Sequence, residues 1–305
     1  MSVESPASPV AAVPEPAMSP PTSFWRAFWR HPMGVTGLVI VLLAVLMALA
    51  PLARHHLPLK DPNYQFPQGL TPDGAPRGPG GMFPLGSDNL GRDMLSRVVW
   101  GAQISLEVGF FAIAIAMGVG VLVGVTAGAA GGWVDTLMMR LTDVVMTIPS
   151  ILLAIAIVAV QGKPSEAGVF IAIGFASWTG IARIIRGQVL QVKEKEFIEA
   201  ARAIGCSPLR VACRHIIPNI VPLIVVLGTI GVAGTILLDA GLSYLGLGVP
   251  PPSASWGRMI ADGQNYYLSA PWILLEPAMA ASIVVIGFNM LGQALQELLD
   301  PYRVS

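Results

Sequence analysis

Val108-Gly-Phe-Phe-Ala-Ile-Ala-Ile-Ala-Met-Gly-Val-Gly-Val-Leu-Val-Gly-Val-Thr-Ala-Gly-Ala-Ala-Gly-Gly-Trp-Val134 carries no charged residue between Glu107 and Asp135. It is longer than the roughly 20 apolar residues a helix needs to cross a bilayer. Read as a helix, it is apolar all round, so lipid is its natural solvent. Outward from it, five more stretches lie between charged or titratable residues. They are bounded by His31 and Arg54, Asp143 and Lys163, Glu166 and Arg183, His215 and Asp239, and Glu276 and Glu297. None has the alternating pattern of about 10 residues that marks a barrel strand. The fold class that follows is an all-α membrane protein with six transmembrane helices. The span from Glu166 is short, and Arg183 and Arg186 are expected to snorkel and extend it.

Composition agrees. Of 305 residues, 54% are hydrophobic and only 12% charged, against about 25% charged in a soluble domain. Mean hydropathy is +0.67. The chain has too little charge to coat a soluble globule and too much apolar content for disorder. Its 18 basic and 18 acidic residues give no excess for nucleic acid. Cys206 and Cys213 read as free thiols, since two cysteines seven apart make neither a disulfide framework nor a zinc site.

Six spans place both termini on one side. That side receives eleven Lys and Arg residues and the other seven, which puts both ends in the cytoplasm of an inner-membrane protein. Residues 1–23 are rich in Pro, Ala and Ser and read as a disordered cytoplasmic tail. Residues 24–103 hold an interfacial anchor (Phe24, Trp25, Phe28, Trp29), the first span and an external loop; residues 104–305 form the core. Gly120, Gly124 and Gly128 make a double G-x-x-x-G stripe that lets helices approach closely. It suits packing within the chain or against a second membrane subunit. No ionisable residue lies near the middle of a span, where proton relays and ion-coupled transporters place one. No phosphate loop, H-E-x-x-H or G-x-S-x-G is present. The chain therefore reads as a non-enzyme that would take energy from another polypeptide.

The segment 187–217 on the cytoplasmic side is the most informative. In Phe197-Ile-Glu-Ala-Ala-Arg-Ala-Ile-Gly205 the apolar residues recur at helical spacing. Gly205 suits a left-handed C-terminal cap, Ser207 an N-cap and Pro208 the first position of a second helix running toward Ile217. Pro218 would begin the return to the membrane. Glu199 beside Ala200 and Ala201 offers a carboxylate next to a small-residue patch that a partner's groove would admit. An ordinary interfacial amphipathic loop is the simpler alternative.

Glu199-Ala-Ala201, Gly205 and Ile217-Pro218 resemble the E-A-A loop of ABC importer permeases. His215 departs from the general pattern, although Arg214-His-Ile-Ile-Pro-Asn219 is similar to the peptide branch. Pro84-Leu-Gly-Ser-Asp-Asn-Leu-Gly-Arg-Asp93 and Leu242-Ser-Tyr-Leu-Gly-Leu-Gly-Val-Pro-Pro-Pro-Ser-Ala-Ser-Trp-Gly257 resemble external blocks of that branch, with Tyr244 in place of a commoner Phe. Asp300-Pro301 also fits. The resemblance covers roughly Trp25 to Tyr302 and points to the second, C-type permease of a dipeptide/oligopeptide importer.

It implies a type I ABC importer permease fold and a coupling helix around Glu199, Ala200, Ala201, Gly205, Cys206, Ser207, Pro208 and Pro218. The implied partners are a second permease, two cytoplasmic ATPase subunits that bind ATP and Mg, and an external solute-binding protein. No cofactor or metal is expected in this chain. Nickel, glutathione, microcins or oligosaccharides stay open as solutes, and an ion-coupled secondary transporter is the rival class. Outside, Asp88, Arg92, Asp93 and Arg97 read either as a folded ion-pair network or as contacts for the binding protein. Trp256 and Gly257, on a proline-stiffened loop, read as a contact for that protein or an interfacial anchor. His55 and His56 read as a solvated pair, since two imidazoles without a third ligand specify little. Asp239 and Glu276 read as interface residues at the outer span ends.

Overall fold

The structure, a computed structural model, describes residues 24–53, 59–162 and 165–299. The tail 1–23, the His55–His56 pair and Asp300–Pro301 lie outside the described residues. Helix α1 (Phe24–Trp29) leads into α2 (Pro32–Leu49). Trp25 and Trp29 are exposed, as an interfacial anchor requires, while Phe28 turns inward beneath Gly34. The segment described from Leu59 to Asp93 is largely irregular and carries isolated bridges such as Ser87 with Asp93.

Helix α3 (Met94–Ala130) is 37 residues long, about 56 Å at 1.5 Å per residue. The hydrocarbon core is only about 30 Å thick, so part of α3 stands outside the membrane. The charge-free stretch after Glu107 is only part of this helix, which begins at Met94; the Asp93 carboxylate accepts the Ser96 amide at 2.9 Å as an N-cap.

Helices α4 (Gly132–Met146) and α5 (Ser150–Gln161) replace the expected straight third span and are bent by 86°. The cause lies in Thr147-Ile148-Pro149: proline lacks an amide hydrogen and pushes the preceding residue out of helical conformation. Helix α5 has 12 residues, about 18 Å, too short to cross alone. Helix α6 (Glu166–Lys193), capped by Ser165, runs 28 residues without a break. Arg183 and Arg186, which bound the expected short fourth span, lie within this longer helix; Arg183 pairs with Asp143 at 2.7 Å and Arg186 with Asp135 at 2.5 Å.

Next come α7 (Glu196–Ala203), α8 (Pro208–Val211) and a π-turn, Ala212–Ile216, which passes into α9 (Ile217–Tyr244). Pro218, expected to begin the return to the membrane, sits in the first turn of α9, just after the π-turn. A proline ring clashes with the carbonyl four residues back, and the wider π-turn is the local change that lets the helical path continue through it. Helix α10 (Trp256–Gly263) and α11 (Trp272–Leu299) complete the chain. Among the described residues five helices are long and apolar enough to cross a membrane, and the bent α4–α5 pair makes a sixth.

Packing centres on α3. The Gly120, Gly124 and Gly128 stripe meets Ile181, Ile185 and Val189 of α6, so it serves contact within the chain. Nearer its start, Ala102, Leu106, Ile113 and Ala116 of α3 pack with Val232, Ala233 and Ile236 of α9 and with Val284 and Phe288 of α11.

Candidate coupling site and external face

Helix α7 stands on its buried side. Ile198 and Ala201 pack with Val189 and Val192 of α6, Val211 of α8, and Ile216 and Ile220 at the return to the membrane. Its other side is free: Glu199 and Ala200 are exposed. The helix ends in two bonds, Gly205 N–H to Arg202 O at 2.9 Å and Cys206 N–H to Ala201 O at 3.0 Å. These are the paired bonds of a Schellman motif, with Gly205 at φ +84°. Ser207 then caps α8 by accepting the Arg210 amide at 3.4 Å, and Pro208 takes the first helical position. Ser207, Pro208 and Pro218 are exposed and Cys206 is half-buried.

The structure thus brings the predicted residues into one projecting hairpin of helices. Leu209 escaped the sequence reading: it is 75% exposed, and Ile204, one of the apolar residues at helical spacing, is 81% exposed, on either side of the Gly205 turn. Of those spaced residues only Ile198 and Ala201 are buried. The signal was present, because Leu209 follows a helix-starting proline with nothing nearby to cover it.

Before the start of α3, Asp88 Oδ2 accepts from Arg92 Nε at 2.6 Å and lies 3.4 Å from Arg97 Nε. Asp88 Oδ1 accepts the Leu90 and Arg92 amides, each at 2.9 Å. Asp93 caps α3 and pairs with Lys60 Nζ at 3.1 Å; the ammonium also lies 4.2 Å from the centre of the Phe83 ring. Arg97 Nη1 donates to Pro62 O at 3.1 Å. All four of Asp88, Arg92, Asp93 and Arg97 are buried. Trp256 is fully buried too: its indole N–H donates to Val98 O at 3.0 Å and its backbone N–H to Ser105 Oγ at 2.9 Å. Gly257 is buried because a Cβ there would sit 2.8 Å from Ala240 Cα.

Asp88, Arg92, Asp93, Trp256 and Gly257 are buried within the chain, as a folded ion-pair network and a packed α10 require. The reading of Asp239 is corrected: it lies inside the chain near Gly257 rather than at an interface. Asp88→Ala is expected to cost about 3–5 kcal/mol, because it strands two buried guanidinium groups. A thermal melt of the purified protein, against one of the wild type, measures it. Among the described residues no group of three or more His, Cys, Asp or Glu side chains is placed to hold a metal ion.

Comparison with known proteins agrees with this geometry. Residues 120–304 match the model of the binding-protein-dependent transport system inner membrane component family. Residues 19–69 match the N-terminal transmembrane domain of oligopeptide transport permease C. A dipeptide transport system permease of Alkalihalophilus pseudofirmus is 38% identical over 303 residues, covering 96% of each chain. A glutathione transport system permease of Escherichia coli is 41% identical over 288 residues, covering 94% of this chain and 92% of its own. Two inward-facing structures of the MetNI methionine ABC transporter share the fold. One has a TM-score of 0.54 at 18% identity, over 66% of this chain and 97% of that one. The other has 0.51 at 21%, over 67% and 95%. The chain belongs to the binding-protein-dependent transport system inner membrane component family, as a multi-pass permease subunit of an ABC importer.

Proposed function

We propose that this permease pairs with a second permease to form a path for dipeptides and oligopeptides, driven by two cytoplasmic ATPase subunits and supplied by an external binding protein. The observation that carries the coupling half is the α7–Gly205–α8 hairpin. It is anchored on a buried face yet presents Glu199, Ala200, Ile204 and Leu209 outward. An exposed apolar pair beside a carboxylate is what an interface core with a polar rim requires. Dipeptide and glutathione, the solutes named for the two relatives, are both short peptides, which supports that solute class.

In this reading ATP and Mg bind the partner ATPases, and this chain carries no ATPase site of its own. The basic excess on the hairpin's side supports both termini being cytoplasmic. The two family matches, 19–69 and 120–304, support an N-terminal unit (24–103) followed by a core (104–305) with its coupling segment at 187–217.

Ile204 and Leu209 would be the anchors seated in the ATPase. Leu209→Asp is expected to weaken ATPase association by about 2 kcal/mol, as loss of a central anchor does. The test is co-purification of the ATPase subunits with the permease pair in detergent. Undiminished recovery with both Ile204→Asp and Leu209→Asp in place would remove the hairpin from the interface.

A further inference from the structure

Helix α4 is jointed at both ends. At its start Gly131 and Gly132 have φ of +69° and +55°. At its end Thr147-Ile148-Pro149 turns the chain by 86° into α5. Between the joints α4 buries only Thr142 fully. A helix with so little buried side-chain packing is held chiefly by its polar contacts.

Those contacts lead to α6. Asp135 receives both Arg186 Nε and Arg186 Nη2, at 2.5 and 2.6 Å, a bidentate pair of the strong, geometrically specific kind. Arg183 reaches Asp143 at 2.7 Å near the far end of α4. Lys193, the last residue of α6, donates to Gly128 O at 3.1 Å and Ala129 O at 2.9 Å, and lies 3.5 Å from where a Gly131 Cβ would be. So the first joint rests on the end of α6, and α7 begins at Glu196.

We propose that Asp135 and Arg186 are a positioning pair that clamps α4 to α6, so that movement of the α7–α8 hairpin is carried by α4 and α6 together and reaches α5 through the joint at Pro149. The proposal rests on the coupling role given to that hairpin. The clamp makes α4 and α6 one rigid body and concentrates the motion at residues 147–149.

The test uses the complete importer in proteoliposomes, with spin labels at exposed positions: Leu137 on α4, Leu152 on α5 and Ile184 on α6. Distances are compared between the nucleotide-free and the ATP-vanadate-trapped states. The expected result is that Leu137–Leu152 changes while Leu137–Ile184 stays constant. Asp135→Asn is expected to broaden Leu137–Ile184 and to lower dipeptide uptake about tenfold, with binding-protein-stimulated ATP hydrolysis retained. The reversed pair, Asp135→Arg with Arg186→Asp, is expected to narrow the distances again and restore uptake. An unchanged Leu137–Leu152 distance, or Asp135→Asn with wild-type distances and uptake, would overturn the clamp. If even the wild type takes up no peptide, the solute reading fails while the distances still decide the clamp.

Discussion

Gly205→Val is expected to cut solute uptake by the assembled importer about tenfold while ATP hydrolysis continues. The residue sits at φ +84°, and no atom lies within 4 Å of where its Cβ would be. The cost is therefore in the backbone and not in a clash. A left-handed conformation costs a residue with a Cβ about 1–2 kcal/mol, and a tenfold change corresponds to about 1.4 kcal/mol. Relaxing that strain breaks the bonds from Gly205 to Arg202 and from Cys206 to Ala201 that fix the angle between α7 and α8. The hairpin would then move without carrying the spans with it. Asparagine tolerates the left-handed region, so Gly205→Asn should keep most of the uptake. Parallel assays of uptake and hydrolysis in proteoliposomes check both variants. Equal uptake by the Val and Asn variants would show that the turn's geometry is not what matters.

Gly124→Leu is expected to be the most damaging single change to the fold. A Cβ there would lie 2.5 Å from Ala182 O and 2.9 Å from Ile185 Cβ. The first contact is with backbone, which has no rotamer to yield, so α3 and α6 must separate. Overpacking of this kind costs about 3 kcal/mol or more. The neighbouring Gly118 supplies the comparison, since its Cβ would meet nothing within 4 Å. Gly118→Leu should accumulate in membranes like the wild type, whereas Gly124→Leu should be recovered at low yield with a depressed melting temperature. Similar yields and melting temperatures for the two would mean that α3 does not pack on α6 through this stripe.

Local chemistry was legible in the sequence. Uncharged stretches located the spans, and Gly205, Ser207 and Pro208 gave the turn of the hairpin to the residue. Resemblance added the family, and the hairpin's exposed side agrees with it. What the sequence concealed depends on partners far away along the chain. For Asp88 and Asp93 the sequence left a folded ion-pair network beside a binding-protein contact, and Trp256 read as a contact or an anchor, because Arg97, Lys60 and Val98 fold onto them only in three dimensions. Arg183 and Arg186 looked like a span end because Asp143 and Asp135, on a different helix, neutralise them. The break at Pro149 was local and readable, but an unbroken apolar run outweighed it. The start of α3 was missed for the reverse reason: a capping Asp93 lay inside a region already assigned to loop.

The most direct measurement is accumulation of labelled dipeptide in proteoliposomes holding this chain, a second permease, the ATPases and the binding protein, with ATP enclosed. The account predicts ATP-dependent accumulation that needs this chain and is lost with Gly205→Val. Stimulated hydrolysis without accumulation would remove peptide as the solute. Hydrolysis that proceeds identically with this chain omitted would contradict the coupling role itself.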